Sequence, residues 1–247
     1  MELTLKFGKK NSKLEKLEAK TGKKVYSFST LSGWDCPFAK ECQSFAVETP
    51  NGMKIKDGKY TKFRCFSASQ EVLWENVYKS RKNNSQLIKL ANTDFDLAVK
   101  TVIEQFPKKC QILRINVAGD MKTQTYFDMW LEVIRNLPTV QFYAYTKALP
   151  YWVARLGEIP DNFNLTASFG GRCDNLIEKY NLRYAKVVFS KKEAKDLGLV
   201  IDHDDSHAAL NRYKNQNFAL LLHNSQPKGS LAAKALSEIR RLYNTKK

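Results

Sequence analysis

The sequence predicts one α/β domain built on a mainly parallel, barrel-like sheet, and three observations predict it. Short apolar runs of strand length alternate with helical stretches from residue 111 onward. The loops that follow those runs collect the chemically unusual residues, among them Ala118-Gly119-Asp120, Thr146-Lys147 and Phe169-Gly170-Gly171. No Pro-, Gly- or Ser-rich linker and no low-complexity tract divides the 247 residues, a length that one core of barrel size can fill. Residues 1–247 are therefore expected as a single domain with a cysteine-bearing loop at 32–69.

Taken in order, residues 1–24 are polar and lysine-rich and are expected as an exposed arm or turn. Residues 24–30, KVYSFST, alternate as a strand should. Turn signals at Pro50-Asn51-Gly52 and Asp57-Gly58 predict a hairpin within 47–63. Residues 69–81 have Ser69 as a candidate N-cap and Val72, Leu73, Val77 and Tyr78 at helical spacing. A second helix is expected over 94–105, ended by Pro107. Strands then follow at 111–117, 140–145, 164–168, 185–190, 199–202 and 218–223. Helices are expected between them at 125–136, 151–156, 174–180 and 191–197, with Gly198 as a C-cap, and a closing helix at 230–243. Strands separated by helices pair in parallel through right-handed crossovers. In a barrel of that kind the active site lies at the carboxyl ends of the strands, where these unusual residues fall.

Charge narrows the partners. Lysine and arginine number 41 against 25 acidic residues, a net charge of +16 with a pI near 9.6. Such an excess is the footprint of polyanion binding, most simply to nucleic acid. No window approaches the ~20 apolar residues that cross a bilayer, and MELTLKFGKK lacks the apolar region of a signal peptide, so a cytoplasmic protein with no membrane partner is expected. Five cysteines, an odd number, argue against a disulfide framework.

Three of those cysteines, Cys36, Cys42 and Cys65, fall in one loop as C-x5-C-x22-C. A hairpin between the second and third would bring Cys65 back to the first two. Three thiolates without a fourth protein ligand leave one position open, and an iron-sulfur cluster with one free iron is the usual use of that arrangement. A closed zinc site wants four ligands. Scattered reduced cysteines in an ordinary core are the competing reading. The neighbours Trp34, Pro37, Phe38, Phe63 and Phe66 suit either.

The densest polar cluster is Asp202-His203-Asp204-Asp205-Ser206-His207. Carboxylates and imidazoles at this density can hold a divalent metal or transfer protons, with His203, Asp204, Asp205 and His207 as the candidate catalytic residues. Equally, Asp204 or Asp205 can cap a helix beginning at Ser206. Lys147, just past an apolar strand, is a candidate for an anionic ligand. Gly170-Gly171-Arg172 can admit a phosphate or simply form a turn. The aromatics Tyr143, Tyr145, Tyr151 and Trp152 can stack bases or pack.

GWDCPFAKEC, RCFSASQE, NVAGD, YFDMW, FYAYTKALPYWVAR, LTASFGGR, VVFS, DHDDSHAA and HNSQPKGS together resemble the gene product eighty-eight family of phages and plasmids, over residues 32–230. More distantly, the chain is similar to the radical S-adenosylmethionine superfamily. That resemblance implies a partial TIM-barrel-like (β/α)6 architecture. It also implies a [4Fe-4S] cluster on Cys36, Cys42 and Cys65, and S-adenosylmethionine held near Gly119 and Asp120, with Lys147 close to the bound groups. Two features depart from that superfamily: its cysteines are packed as CxxxCxxC, and Asp120 stands where it has a glutamate. The expected function is a radical S-adenosylmethionine-like iron-sulfur protein acting on or with nucleic acid. The alternatives are a divalent-metal nuclease or nicking protein using Asp202, His203, Asp204, Asp205 and His207, and a non-catalytic nucleic-acid-binding protein.

Overall fold

The computed structural model describes residues 3–9, 11–223 and 225–244. Its centre is a seven-stranded sheet of β1 (Val25–Ser27), β4 (Ile112–Ile115), β5 (Gln141–Thr146), β6 (Phe163–Ser168), β7 (Tyr184–Val188), β8 (Val200–Ile201) and β9 (Phe218–Leu221). The spatial order is β1-β4-β5-β6-β7-β9-β8, and each neighbouring pair is parallel. Six strands thus stand in chain order, as in a partial (β/α)6 barrel, and the two-residue β8 is added outside β9. A separate antiparallel hairpin, β2 (Ser44–Thr49) with β3 (Gly52–Asp57), rises from the cysteine loop. It turns at Pro50-Asn51-Gly52, where Gly52 takes φ +93°. The other turn signal, Asp57-Gly58, falls at the end of β3 rather than within the hairpin.

Alternation along the strands sorts the core into two sides. Leu113 and Ile115 of β4 and Phe142 and Ala144 of β5 pack with Phe28 and Trp130 on the outer side. That side is covered by α4 (Gln86–Thr93), α5 (Phe95–Glu104) and α6 (Gln124–Asn136). Ile112 and Tyr143 face the opposite side with Phe218 and Ala185. There they meet Leu14 and Leu17 of α1 (Ser12–Thr21) and Ala208 and Ala209 of α10 (Ser206–Ala209).

The lysine-rich segment is therefore not an exposed arm. Leu14 and Leu17, three residues apart, are fully buried on one side of α1, and Lys13 and Lys20 flank them with their ammonium groups on Asp205 and Asp204. Asn11 caps its first turn by accepting from the Lys13 N–H, and Gly22 ends it at φ +68°.

The helix expected over 69–81 is broken in two. α2 (Phe66–Leu73) and α3 (Glu75–Asn84) meet at Trp74, whose backbone is extended. Leu73 and Trp74 are exposed, and the buried side of α2 consists of Ser67, Ala68 and Glu71. Of the four apolar positions that suggested the helix, Tyr78 is buried, Val72 and Val77 are half-buried and Leu73 is exposed; much of the buried side of this segment is polar.

The remaining elements are α7 (Leu149–Val153), α8 (Asn175–Lys179), α9 (Lys191–Asp196) and α11 (Leu231–Asn244), each within a few residues of its expected place. Among the described residues no helix is long and apolar enough to cross a membrane.

Candidate functional site

The loop after β1 crosses the carboxyl-end face of the sheet and is tied to its other loops in turn. Thr30 N–H donates to the Ala118 carbonyl (2.9 Å), and Asp120 N–H donates to the Asp35 carbonyl (3.1 Å), which joins this loop to the one after β4. Further along, Lys40 and Glu41 N–H donate to the Gly170 carbonyl, and Arg172 N–H returns to the Phe38 carbonyl (2.8 Å), at the end of β6. Arg64 N–H then reaches Gln226 Oε1 (2.7 Å), beyond β9. Cys36 and Cys42 lie within this crossing, and Cys65 ends it as the N-cap of α2, its N–H on Ser44 Oγ (3.2 Å).

These ties bring Cys36, Cys42 and Cys65 into electrostatic reach of one another. All three side chains are half-buried. Desolvation raises the Cys36 thiol pKa most, followed by Asp120 and the other two sulfurs; desolvation and Cys42 push Cys65 up to about 11. Cys110 and Cys173 stand apart: the first is buried with its Sγ 3.3 Å from the Ile112 carbonyl, and the second neighbours Arg172 and Asp174. Among the described residues no three His, Cys, Asp or Glu side chains are close enough to hold a single metal ion. Thiolates on one tetrahedral zinc lie about 3.8 Å apart, given Zn–S bonds of ~2.3 Å. The three thiols are near enough to act on one another's charge but form no ready-made single-ion site. A set of three thiols without a fourth protein ligand would suit a cubane with one open iron better than a closed zinc site.

Buried carboxylates hold the thiol loop in shape. Asp35, buried beside Cys36, accepts from Leu31 N–H (3.0 Å) and Ser85 Oγ (2.5 Å) on Oδ2 and from Lys122 Nζ (2.9 Å) on Oδ1. Glu71 is fully buried; its Oε1 takes Ser32 N–H (3.0 Å), Ser32 Oγ (2.7 Å) and Arg81 Nη1 (2.9 Å). Its Oε2 has no hydrogen-bond partner among the described residues, and its charge acts on Cys65. Periodicity missed both residues. The legible signal for Asp35 was its place inside GWDC; Glu71 carried none, since an acidic residue in a helix is normally taken as solvated.

From the β4 loop Asp120 acts on the Cys36 thiol, and Gly119 packs on Thr30 of the β1 loop. A Cβ on Gly119, at φ +77°, would stand 1.9 Å from Thr30 Oγ1, so only glycine lets the two loops approach this closely. Gly119→Ala is expected to cost more than the ~1–2 kcal/mol of a left-handed alanine alone, read as a fall in the urea midpoint. A midpoint unchanged from wild type would refute the close approach.

The Asp120 carboxylate accepts from Thr146 Oγ1 (2.6 Å), Met121 N–H (2.7 Å) and Lys147 N–H (2.8 Å). Burial raises its pKa against the pull of those bonds and of Lys147. A carboxylate has roughly four acceptor positions, so one is left over. Lys147 is buried with its Nζ on Ser168 Oγ (2.6 Å), joining the ends of β5 and β6. The Gly170 and Gly171 N–H groups both donate to the Asp174 carboxylate (2.9 Å each), so this turn satisfies itself.

The 202–207 cluster lies elsewhere, on the inner side of the sheet under α1 and α10. Asp205, fully buried at φ +60°, accepts from Lys13 Nζ (3.0 Å), Arg114 Nη1 (2.5 Å), Tyr143 OH (3.1 Å) and Tyr145 OH (3.3 Å). Burial works to raise its pKa, but Arg114 and Lys13 outweigh that and hold it below the usual range. Asp204 pairs with Lys20 Nζ (2.9 Å) and caps Ser206 N–H (3.0 Å), which realises the capping alternative. Asp202 Oδ1 lies 3.1 Å from His207 Nδ1, and His203 is exposed. Each carboxylate has its own partner, and together they form no single ion site.

The base of the hairpin is tied to Cys65 through Ser44. Lys54 and Lys56 are exposed on alternate positions of β3, and Lys40 and Lys59 approach the exposed Tyr60 ring at 5.8 and 5.5 Å. Trp34 is 49% exposed, its indole N–H on the Ala46 carbonyl (3.0 Å) and its ring edge-on to Phe45. Lys56 pairs across the hairpin with Phe45, on which Trp34 packs, so a cation and an open indole share that face.

No solved structure matches the chain. The "Gene 88 protein" of Mycobacterium phage L5 is 28% identical over 144 residues, 53% of this chain and 59% of that protein, so the likeness spans less than two thirds of the relative's length. The family model for gene product 88 matches residues 3–241, from the segment that precedes α1 through nearly all of α11. The thiol loop, the sheet beneath it and the inner ion-pair centre all lie inside that match, and the chain belongs to the gene product 88 family.

Proposed function

We propose that this chain is an iron-sulfur protein of the radical S-adenosylmethionine type that acts on or with nucleic acid in phage or plasmid biology. The carrying observation is that Cys36, Cys42 and Cys65, from a loop that crosses the carboxyl-end face of a parallel sheet, come within electrostatic reach of one another. When bound, a [4Fe-4S] cluster supplies one-electron reduction at an iron left open by the protein. The chain's own residues would do the positioning. Cys36, Cys42 and Cys65 hold the three occupied irons, and Asp35 and Glu71 fix the loop that carries them. Asp120, electrostatically coupled to Cys36, keeps one acceptor position for an ammonium such as that of S-adenosylmethionine. The low exposure of Asp120 and Lys147 keeps water from that side.

Anaerobic reconstitution tests this directly. The expected protein is brown, contains iron and sulfide in the ratio of a [4Fe-4S] cluster, and cleaves S-adenosylmethionine when reduced. Protein that takes up no iron would end the reading; a stable cluster without cleavage would leave an iron-sulfur protein and remove the S-adenosylmethionine.

Nucleic-acid binding is supported by exposed lysine on the hairpin face that carries Trp34, and by Lys40 and Lys59 over the Tyr60 ring, groups that suit phosphates and stacked bases. Changing Lys54 and Lys56 to glutamine is expected to lower the slope of log affinity against log salt by roughly 1.4 for single strands, about 0.7 per phosphate contact. A fluorescence-anisotropy titration over a salt series measures it. An unchanged slope would move the contact off the hairpin.

A further inference from the structure

The hairpin of β2 and β3 has one packed face and one open face. Residues directly opposite each other in an antiparallel pair point to the same side. Ser44 with Asp57 and Ala46 with Ile55 therefore share one face, and Phe45 with Lys56 and Val47 with Lys54 share the other. The first lies against α2, with Ser44 and Ala46 fully buried. On the second, Lys54 and Lys56 are exposed and Phe45 and Val47 are half-buried.

Trp34 extends the open face past the edge of β2 that has no strand partner. Its indole N–H donates to the Ala46 carbonyl (3.0 Å), and its ring meets Phe45 at 5.0 Å and 65°, edge-on rather than flat. Gly33 lets the loop come this close, since a Cβ there would run into the Ser44 carbonyl oxygen. The indole is thus fixed in place yet left 49% exposed, an aromatic surface that costs little to order when another ring lies on it. A row of cation, phenyl ring and indole crosses the hairpin: Lys56 and Phe45 stand on strands ~4.8 Å apart, and the indole lies beyond the phenyl ring. Along β3 the two lysines repeat at about 6.7 Å, a step comparable to that between neighbouring phosphates of one strand.

We infer that this open face binds single-stranded nucleic acid, with an unpaired base on Trp34 and neighbouring phosphates at Lys54 and Lys56; this rests on the nucleic-acid reading of the hairpin given above and adds that the strand is unpaired. Inside a duplex each base has both faces covered by its neighbours, so the indole would meet only backbone. A two-stranded ribbon can enter a major groove, but α2 covers one face of this one. A second copy of the chain would bring lysine against lysine on molecules of charge +16 each. An acidic peptide would satisfy the lysines and leave the indole without a flat partner.

Fluorescence anisotropy of the full chain, with a labelled oligo(dT), an abasic strand of equal length and a duplex of equal length, separates these cases and needs no iron. Oligo(dT) is expected to bind roughly tenfold or more tighter than either, the worth of one stacked base, although the duplex carries more charge. Trp34→Ala is expected to lose most of the preference for oligo(dT) over the abasic strand while keeping the wild-type slope of log affinity against log salt, because no phosphate contact is removed. Trp34→Phe is expected to keep part of that preference. Wild-type protein that binds the duplex or the abasic strand as tightly as oligo(dT) would overturn the inference and leave a contact made by charge alone, whether or not the Trp34 variants fold. Displacement of oligo(dT) by polyglutamate of equal charge would also overturn it and assign the face to an acidic protein. Binding of none of the three nucleic acids would remove the nucleic-acid reading of the chain itself, and this inference with it.

Discussion

Alanine at Asp205 is expected to destabilise the fold by about 3–5 kcal/mol, the cost of removing one partner from a buried ion pair. For a chain of this size that is a fall of roughly 6–20 °C in Tm. The carboxylate is fully buried and gathers Lys13 from α1, Arg114 from β4 and two tyrosines from β5. Its loss leaves the Arg114 guanidinium buried and opposed by no charge, and it removes the ion-pair tie of α1 to the sheet. The asymmetry of buried pairs makes a second outcome informative. Replacing Asp205 and Arg114 together by leucine and methionine is expected to recover most of the loss, because no unpaired charge remains. Urea unfolding of the three variants measures both.

The same carboxylate sets a pH dependence. Its folded pKa is depressed, so its contribution is present above the unfolded value of about 3.9 and is lost as pH falls through the lower folded value. Wild-type and Asp205→Ala stabilities are therefore expected to differ fully at pH 7 and to converge below about pH 4. Equal stabilities at pH 7 would show that the pair contributes nothing net.

The second large effect concerns the thiols. Cys36→Ala, Cys42→Ala and Cys65→Ala are each expected to reduce anaerobically reconstituted iron and sulfide to background. Cys110→Ala and Cys173→Ala are expected to retain both, since those sulfurs lie outside the group. Metal binding must displace the thiol protons, and all three thiols have to be available for the open-iron geometry to form. Full iron content in Cys65→Ala would show that the hairpin return to Cys36 and Cys42 has no role in ligation. Circular dichroism of each variant separates ligand loss from unfolding: α2 keeps its remaining contacts through Ser67, Glu71 and Arg81 in the Cys65 variant.

How far each feature could be read from the sequence follows from the kind of contact that makes it. The strand at 111–117 and the helix at 125–136 were legible because their burial is apolar and periodic: β4 alternates Ile112 and Leu113 between two cores, and α6 buries seven residues from Tyr126 to Ile134. α1 was not legible as packed structure, because two buried leucines among lysines and glutamates give a weak stripe. α4, the helix before Asp94, gave no legible signal, and α2 and α3 look like one helix in sequence, with Tyr78 buried as its spacing suggests but Leu73 exposed. In those last two the interior carries Glu71, Arg81 and Asn84, which pattern reading assigns to solvent.

The sequence alone determined that a parallel α/β sheet would form and that its loops would carry the cysteines and the Ala118-Gly119-Asp120 turn, because local alternation and glycine placement are properties of neighbouring residues. Only the tertiary structure decided that the three thiols come within electrostatic reach of one another and that Asp205 serves as a buried anchor. Those outcomes depend on which charges and sulfurs the crossovers bring face to face, and a carboxylate that pairs with residues 91 and 192 positions earlier in the chain leaves no mark in its own surroundings.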